Sequence, residues 1–260
     1  MDEQMIELLG GLLAGDLIGS AYEGMAGEGG RQFVISDSRL TDDSVMAMVT
    51  ARLVLAESSD LTAADFADGY RECITASADK CSGFSPDMLM WATGSVEGGC
   101  MEGNGAGVRA AAIALVASTP NDIDRLVDMA VRPTHSIETM GMALILANVI
   151  SELRLGVPAI EVRTALSVQL PMIDLYEPEL FRSQSMDTTL WWTLPAALHI
   201  GLTASSYRAL FKEVLFIGGD TDSIGAMAGA VGHARWGLRT MPRTVFGYLK
   251  GECNGPFACS

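Results

Sequence analysis

The chain has 260 residues, 49% of them hydrophobic, with 17 Lys+Arg against 32 Asp+Glu and a formal net charge of −15. That much apolar residue excludes a disordered chain, and the length is ample for a substantial core. The acidity excludes the clustered cations that a nucleic-acid binder or a protein held on anionic lipid needs.

The acidic start, Met1-Asp2-Glu3-Gln4, lacks the basic region of a secretory signal, and the longest apolar run, Met140 to Ile150, is too short to span a membrane. Cysteines stand at 73, 81, 100, 253 and 259, an odd number without metal-knuckle or redox spacing. We expect reduced thiols in a cytoplasmic protein.

Taken in chain order, the first element is the glycine-rich apolar stretch through Gly15-Asp16-Leu17-Ile18-Gly19-Ser20-Ala21-Tyr22-Glu23. On a continuous helix Asp16 and Glu23, seven apart, share one face. An acid there is either a solvated helix end or a desolvated proton-transfer group. Gln32-Phe33-Val34-Ile35 is the one short strand candidate. Thr41-Asp42-Asp43-Ser44 comes next, opening a helical run from Val45 to Leu55. Thr62 with Asp65 resembles a capping pair. Gly103-Asn104-Gly105-Ala106-Gly107-Val108-Arg109 reads as a glycine-rich loop before a helix from Ala110 to Ala117, where backbone amides can hold an anion.

Asn121 is placed to cap a helix carrying Ile123, Leu126, Val127, Ala130 and Val131, and Pro133 stops it. His135 is the one histidine in a polar loop; His199 and His233 lie in helical stretches. Ile137 to Val149, Pro158 to before Pro171, and a segment after Ser205 or Ser206 continue the helical pattern. Gly218-Gly219-Asp220-Thr221-Asp222-Ser223 then opens a helix from Ile224 to Trp236. Gly225 and Gly229 inside it cost about 1 kcal/mol each against Ala, so they mark close helix packing. The pattern predicts an all-α protein.

Each acidic cluster alone is readily explained as helix capping. Together, Asp42, Asp43, Asp220 and Asp222 supply more carboxylate than two caps consume. With the hydroxyls of Thr41, Ser44, Thr221 and Ser223 they form an all-oxygen set suited to hard cations, Mg²⁺ or Mn²⁺. Four carboxylates balance two divalent ions. The clusters lie about 180 residues apart, so a shared site requires residues 1–260 to form a single domain.

These motifs, in this order from about Leu8 to Gly237, resemble the ADP-ribosylglycohydrolase family, including Thr134-His135 and Leu194-Pro195-Ala196-Ala197-Leu198. The resemblance implies an all-α fold with a binuclear Mg²⁺ or Mn²⁺ cleft. It implies Thr41, Asp42, Asp43, Asp220, Asp222 and Ser223 as metal ligands, and Glu23 as the proton-transfer acid, with metal-bound Asp43 or Asp220 as the alternative. Gly103, Asn104 and Gly105 would hold ADP-ribose, and His135 would line the substrate. The implied activity is hydrolysis of ADP-ribose from a modified protein side chain or small conjugate by a monomeric enzyme.

A non-catalytic, crystallin-like member that only binds ADP-ribose, and a phosphohydrolase that cleaves the pyrophosphate, are the competing expectations. Ser223 stands where Thr is frequent in the family, Ala106-Gly107-Val108 replaces a common Ala-Met before the Arg, and Ser136-Ile137 comes after His135. These departures bear on the substrate branch more than on the chemistry.

Overall fold

A computed structural model describes residues 3–25, 32–56, 61–78, 81, 83–174, 176–183 and 186–252. In chain order its helices are α1 (Glu3–Ser20), α2 (Asp42–Leu55), α3 (Ala63–Ser77), α4 (Pro86–Ala92), α5 (Gly105–Val116), α6 (Ile123–Val131) and α7 (Ile137–Arg154). Then come α8 (Ala159–Gln169), α9 (Pro178–Ser183), α10 (Leu190–Thr203), α11 (Tyr207–Ile217), α12 (Thr221–Trp236) and α13 (Arg243–Glu252). The protein is all-α. Pairing among the described residues amounts to two isolated bridges, Met101 with His135 and Gly103 with Thr189.

Local chemistry sets most helix starts. Thr62 and Asp65 make a full capping box on α3, while Ser85, Ser136 and Ser206 each accept a backbone N–H at the start of α4, α7 and α11. Three local expectations are corrected. Gln32–Ile35 forms bends rather than a strand. Asn121 does not cap α6, because a 3₁₀ turn over Pro120–Asp122 precedes it and Thr119 instead donates to Asp122 at 2.7 Å. The glycine-rich loop is shorter than expected, since the helix starts at Gly105 and not at Ala110.

Helices α1, α5, α10 and α12 are apolar around most of their circumference and occupy the centre, with Leu9, Leu12, Leu13, Leu17 and Ile18 fully buried on α1 alone. The amphipathic α3, α6 and α11 cover them, each with one buried stripe. Two arginines close helix ends: Arg154 donates to the carbonyls of Ala114 and Ala117 after α5, and Arg235 to those of Gly201 and Ala204 after α10.

The central contact is the antiparallel pair α1 and α12. A methyl added at Gly15 would sit 1.8 Å from the Gly225 carbonyl oxygen, one at Gly11 2.3 Å from that of Gly229, and one at Gly19 2.2 Å from that of Thr221. The two glycines expected to mark close packing, Gly225 and Gly229, do so against Gly15 and Gly11, and Gly19 continues the same four-residue spacing against Thr221. This register places the C-terminal end of α1 against the N-terminal end of α12. Two acid-bearing segments, 220–223 and the turn after Ser20, are thereby brought together.

Candidate functional site

Asp16, on the last turns of α1, is fully buried, and its carboxylate accepts from the Thr41 amide at 2.9 Å, the Thr41 hydroxyl at 2.8 Å and the Ser44 amide at 3.2 Å. It also accepts from the Ser44 hydroxyl. Asp16 therefore fixes the first turn of α2 from outside, and Thr41 caps that turn by accepting from the Asp43 amide at 3.3 Å. Burial raises the Asp16 pKa, and the hydrogen bonds from Ser44 and Thr41 oppose that rise.

The start of α2 faces the start of α12. Ser223 donates its hydroxyl to Asp43 at 2.6 Å, and Thr221 donates to the Gly19 carbonyl at 2.8 Å. Asp42, Asp43, Asp220, Asp222 and Ser223 line one cleft of about 470 Å³, while Thr41 lies behind them at 2% exposure. Glu23 is not on α1, which ends at Ser20. The chain turns back, and Gly24, at φ 70°, donates its N–H to the Gly219 carbonyl at 2.8 Å. Carboxylate oxygens of Glu23, Asp220 and Asp222 then lie within 4.8 Å of one another.

Such crowding is electrostatically expensive. Burial, followed by the charge of Asp16, pushes Asp42 up to about 7. Burial, then neighbouring Asp42, holds Asp43 well above the carboxylate range, and burial, then Asp220, does the same for Asp222. Glu23 rises through burial and Asp220. Positive charge brought between these groups would relieve both effects. The donor set, carboxylates with a hydroxyl and no His or Cys, suits a hard cation.

The opposite wall is the strip 101–104, held on both sides. Met101 donates to the Thr134 carbonyl at 3.1 Å and Ser136 to that of Met101 at 3.0 Å, while Asn104 donates to the Thr188 carbonyl at 2.9 Å. The Asn104 amide reaches across the cleft and donates to Asp220 at 2.6 Å. Gly103, Asn104, Gly105 and His135 all line the cleft, as do residues that no sequence motif marks: Met46, Ser85, Met88, Cys100, Met101 and Glu102. These come from α2, α4 and intervening turns that only folding brings together.

His135 is 5% exposed, and burial followed by the Arg109 charge lowers its pKa well below the usual histidine value. His199 and His233 sit on α10 and α12, away from the cleft lining. Cys73, Cys81 and Cys100 are free thiols; Cys253 and Cys259 lie outside the described residues. No helix among the described residues is long and apolar enough to cross a membrane.

A family model for ADP-ribosylglycohydrolase matches residues 2–254. The chain belongs to the ADP-ribosylglycohydrolase family. Its fold is similar to that of a solved structure described as an ADP-ribosylglycohydrolase-related protein complex, with a TM-score of 0.72 at 20% identity, covering 96% of this chain and 94% of that one. No curated protein matches it in sequence. In this member of the ADP-ribosylglycohydrolase family, the acidic cleft lies where α1, α2 and α12 converge.

Proposed function

We propose that the chain is a metal-dependent hydrolase that cleaves the bond between the ribose anomeric carbon of ADP-ribose and an acceptor group. The observation that carries this reading is the meeting of two acidic helix starts, joined by the Ser223–Asp43 hydrogen bond, under a third acid, Glu23. Thr41, Asp42, Asp43, Asp220, Asp222 and Ser223 would hold two divalent cations, Mg²⁺ or Mn²⁺. When bound, such ions supply the positive charge that grips ribose hydroxyls and orients the attacking water.

The chain's own residues do the rest. Glu23, solvent-exposed where it lines the cleft and with a raised pKa, lies beside Asp220 and Asp222 and is the first candidate to move a proton. It takes one from the water that bonds to the anomeric carbon, or gives one to the acceptor as its bond to that carbon breaks. Asp43 and Asp220 are the alternatives. The amides at the start of α5, beside Gly103, Asn104 and Gly105, suit the diphosphate. Asn104 also steadies Asp220 at 2.6 Å. The substrate would be an ADP-ribosylated protein or a small ADP-ribose conjugate, acted on by one cytoplasmic, monomeric, single-domain chain.

Asp42→Ala and Asp220→Ala test this. Calorimetric titration with Mg²⁺ and Mn²⁺ should show binding by the unaltered chain and its loss in each variant, together with loss of turnover. Unchanged activity in either variant contradicts the reading. ADP-ribose binding without hydrolysis would favour a non-catalytic member of the fold, and AMP as product a phosphohydrolase.

A further inference from the structure

Beneath the substrate wall lies a buried cation that the proposed mechanism does not use. Arg109, on α5, is 1% exposed and forms no salt bridge with a carboxylate among the described residues. Its guanidinium donates to the carbonyls of Gly105 and Ala130 at 3.2 Å each and to the Thr134 hydroxyl at 2.9 Å. It lies 4.9 Å over the Tyr70 ring, whose hydroxyl is in turn bonded to Thr50 at 2.9 Å. It also contacts His135 Nδ1, at 2.8 Å.

A guanidinium has only donors and does not deprotonate in a protein. Nδ1 of His135 must therefore be the acceptor, and in a neutral ring the proton then stands on Nε2. The Thr134 hydroxyl, also 2.8 Å from Nδ1, is compatible with this because it can donate there or to the Val131 carbonyl. The Nε2 side of the ring faces Gly103 and is hydrogen-bonded to that residue's backbone. We infer that Arg109 is a positioning residue, which locks His135 as the neutral Nε2–H tautomer and through it pins the Gly103 carbonyl and the strip presenting Asn104 to Asp220.

His135 then carries no titrating proton, so proton transfer in the cleft is left to the carboxylates. The hold of Asn104 on Asp220 then also depends on Arg109, a residue only 1% exposed at the cleft lining. The effect on turnover rests on the glycohydrolase reading, whereas the tautomer stands on the hydrogen-bond geometry alone.

The chain has 3 histidines, so long-range ¹⁵N–¹H correlation spectra of its side chains can be read directly, with His135→Gln identifying the His135 signals. At pH 7 the unaltered protein should show His135 with a bare Nδ1 and a protonated Nε2. An Nδ1–H ring or an imidazolium overturns the proposal. In Arg109→Met the His135 signal should lose this fixed pattern, and ADP-ribose affinity should weaken about 10- to 100-fold; an unchanged His135 spectrum in a folded variant overturns it.

Should Arg109→Met fail to fold, a second pair decides the point. His135→Gln, which can still donate to Gly103, should retain ADP-ribose affinity better than His135→Phe, and equal affinities contradict the proposal. A wild-type protein with the expected tautomer but no release of ADP-ribose would count against the proposed activity and leave the tautomer lock standing.

Discussion

Ser223 donates its hydroxyl to Asp43 at 2.6 Å, although the two residues are 180 positions apart in the chain. That bond closes the ring formed by α1, α2 and α12. The antiparallel α1–α12 pair brings Asp220 and Asp222 beneath the fold-back that carries Glu23, and Asp16 sets the angle at which α2 presents Asp42 and Asp43. Losing the Ser223 hydroxyl should loosen the ring without unfolding it. Ser223→Ala is expected to weaken Mn²⁺ binding about 10- to 100-fold, and Ser223→Thr to leave it nearly unchanged, by calorimetric titration.

Asp16 touches no cleft solvent, yet four donors from Thr41 and Ser44 converge on it. An amide in its place offers a single acceptor oxygen and turns an N–H toward existing donors. Asp16→Asn should keep the helical circular-dichroism signal while reducing divalent-ion affinity by at least about 10-fold. Undiminished affinity would show that α2 does not need this support.

The glycine register makes a stability prediction of opposite signs. At Gly15 an added methyl meets the backbone of Gly225, which no rotamer change can move aside. Gly15→Ala should cost about 3 kcal/mol or more in urea unfolding. Gly141, on the exposed face of α7 with nothing within 4 Å of an added methyl, should gain up to about 1 kcal/mol on substitution by Ala.

His233 gives the fold a pH dependence separate from the cleft. Its Nδ1 accepts from the Gly11 amide at 3.1 Å, and burial, then the charge of Arg154, lowers its pKa to about 4. The unfolded chain binds that proton near pH ~6.5, so the folded state holds fewer protons between the two values. The contribution is therefore complete above pH ~6.5 and is lost as pH falls toward 4, to a total of up to about 3 kcal/mol. Urea unfolding of the unaltered chain and His233→Gln across this window should give converging or crossing stabilities. Parallel curves would contradict the assignment, since the acidic cluster is common to both proteins.

The fold was legible where one residue's chemistry suffices. Ser206 and the Thr62–Asp65 pair cap the helices they precede, and Gly225 and Gly229 announced a close helix contact. Residue spacing along an assumed helix misled at Glu23. It reaches the cleft because the chain reverses after Ser20 and Gly24 bonds to Gly219, and not because Asp16 and Glu23 share a helix face. The structural part of Asp16 was equally hidden, because its partners lie 25 and 28 residues away. Arg109 was visible only as the end of a glycine-rich motif. Its burial under His135 depends on α5, α6 and the strip after Cys100 packing together.

The central claim is tested most directly by measuring free ADP-ribose released from a panel of defined conjugates, linked through arginine, serine or a nucleobase, with Mg²⁺, with Mn²⁺ and with chelator. At least one linkage should be cleaved in the presence of a divalent ion, with release abolished by chelator and absent in Asp220→Ala. Release that persists without metal, or that Asp220→Ala leaves unchanged, would contradict the account.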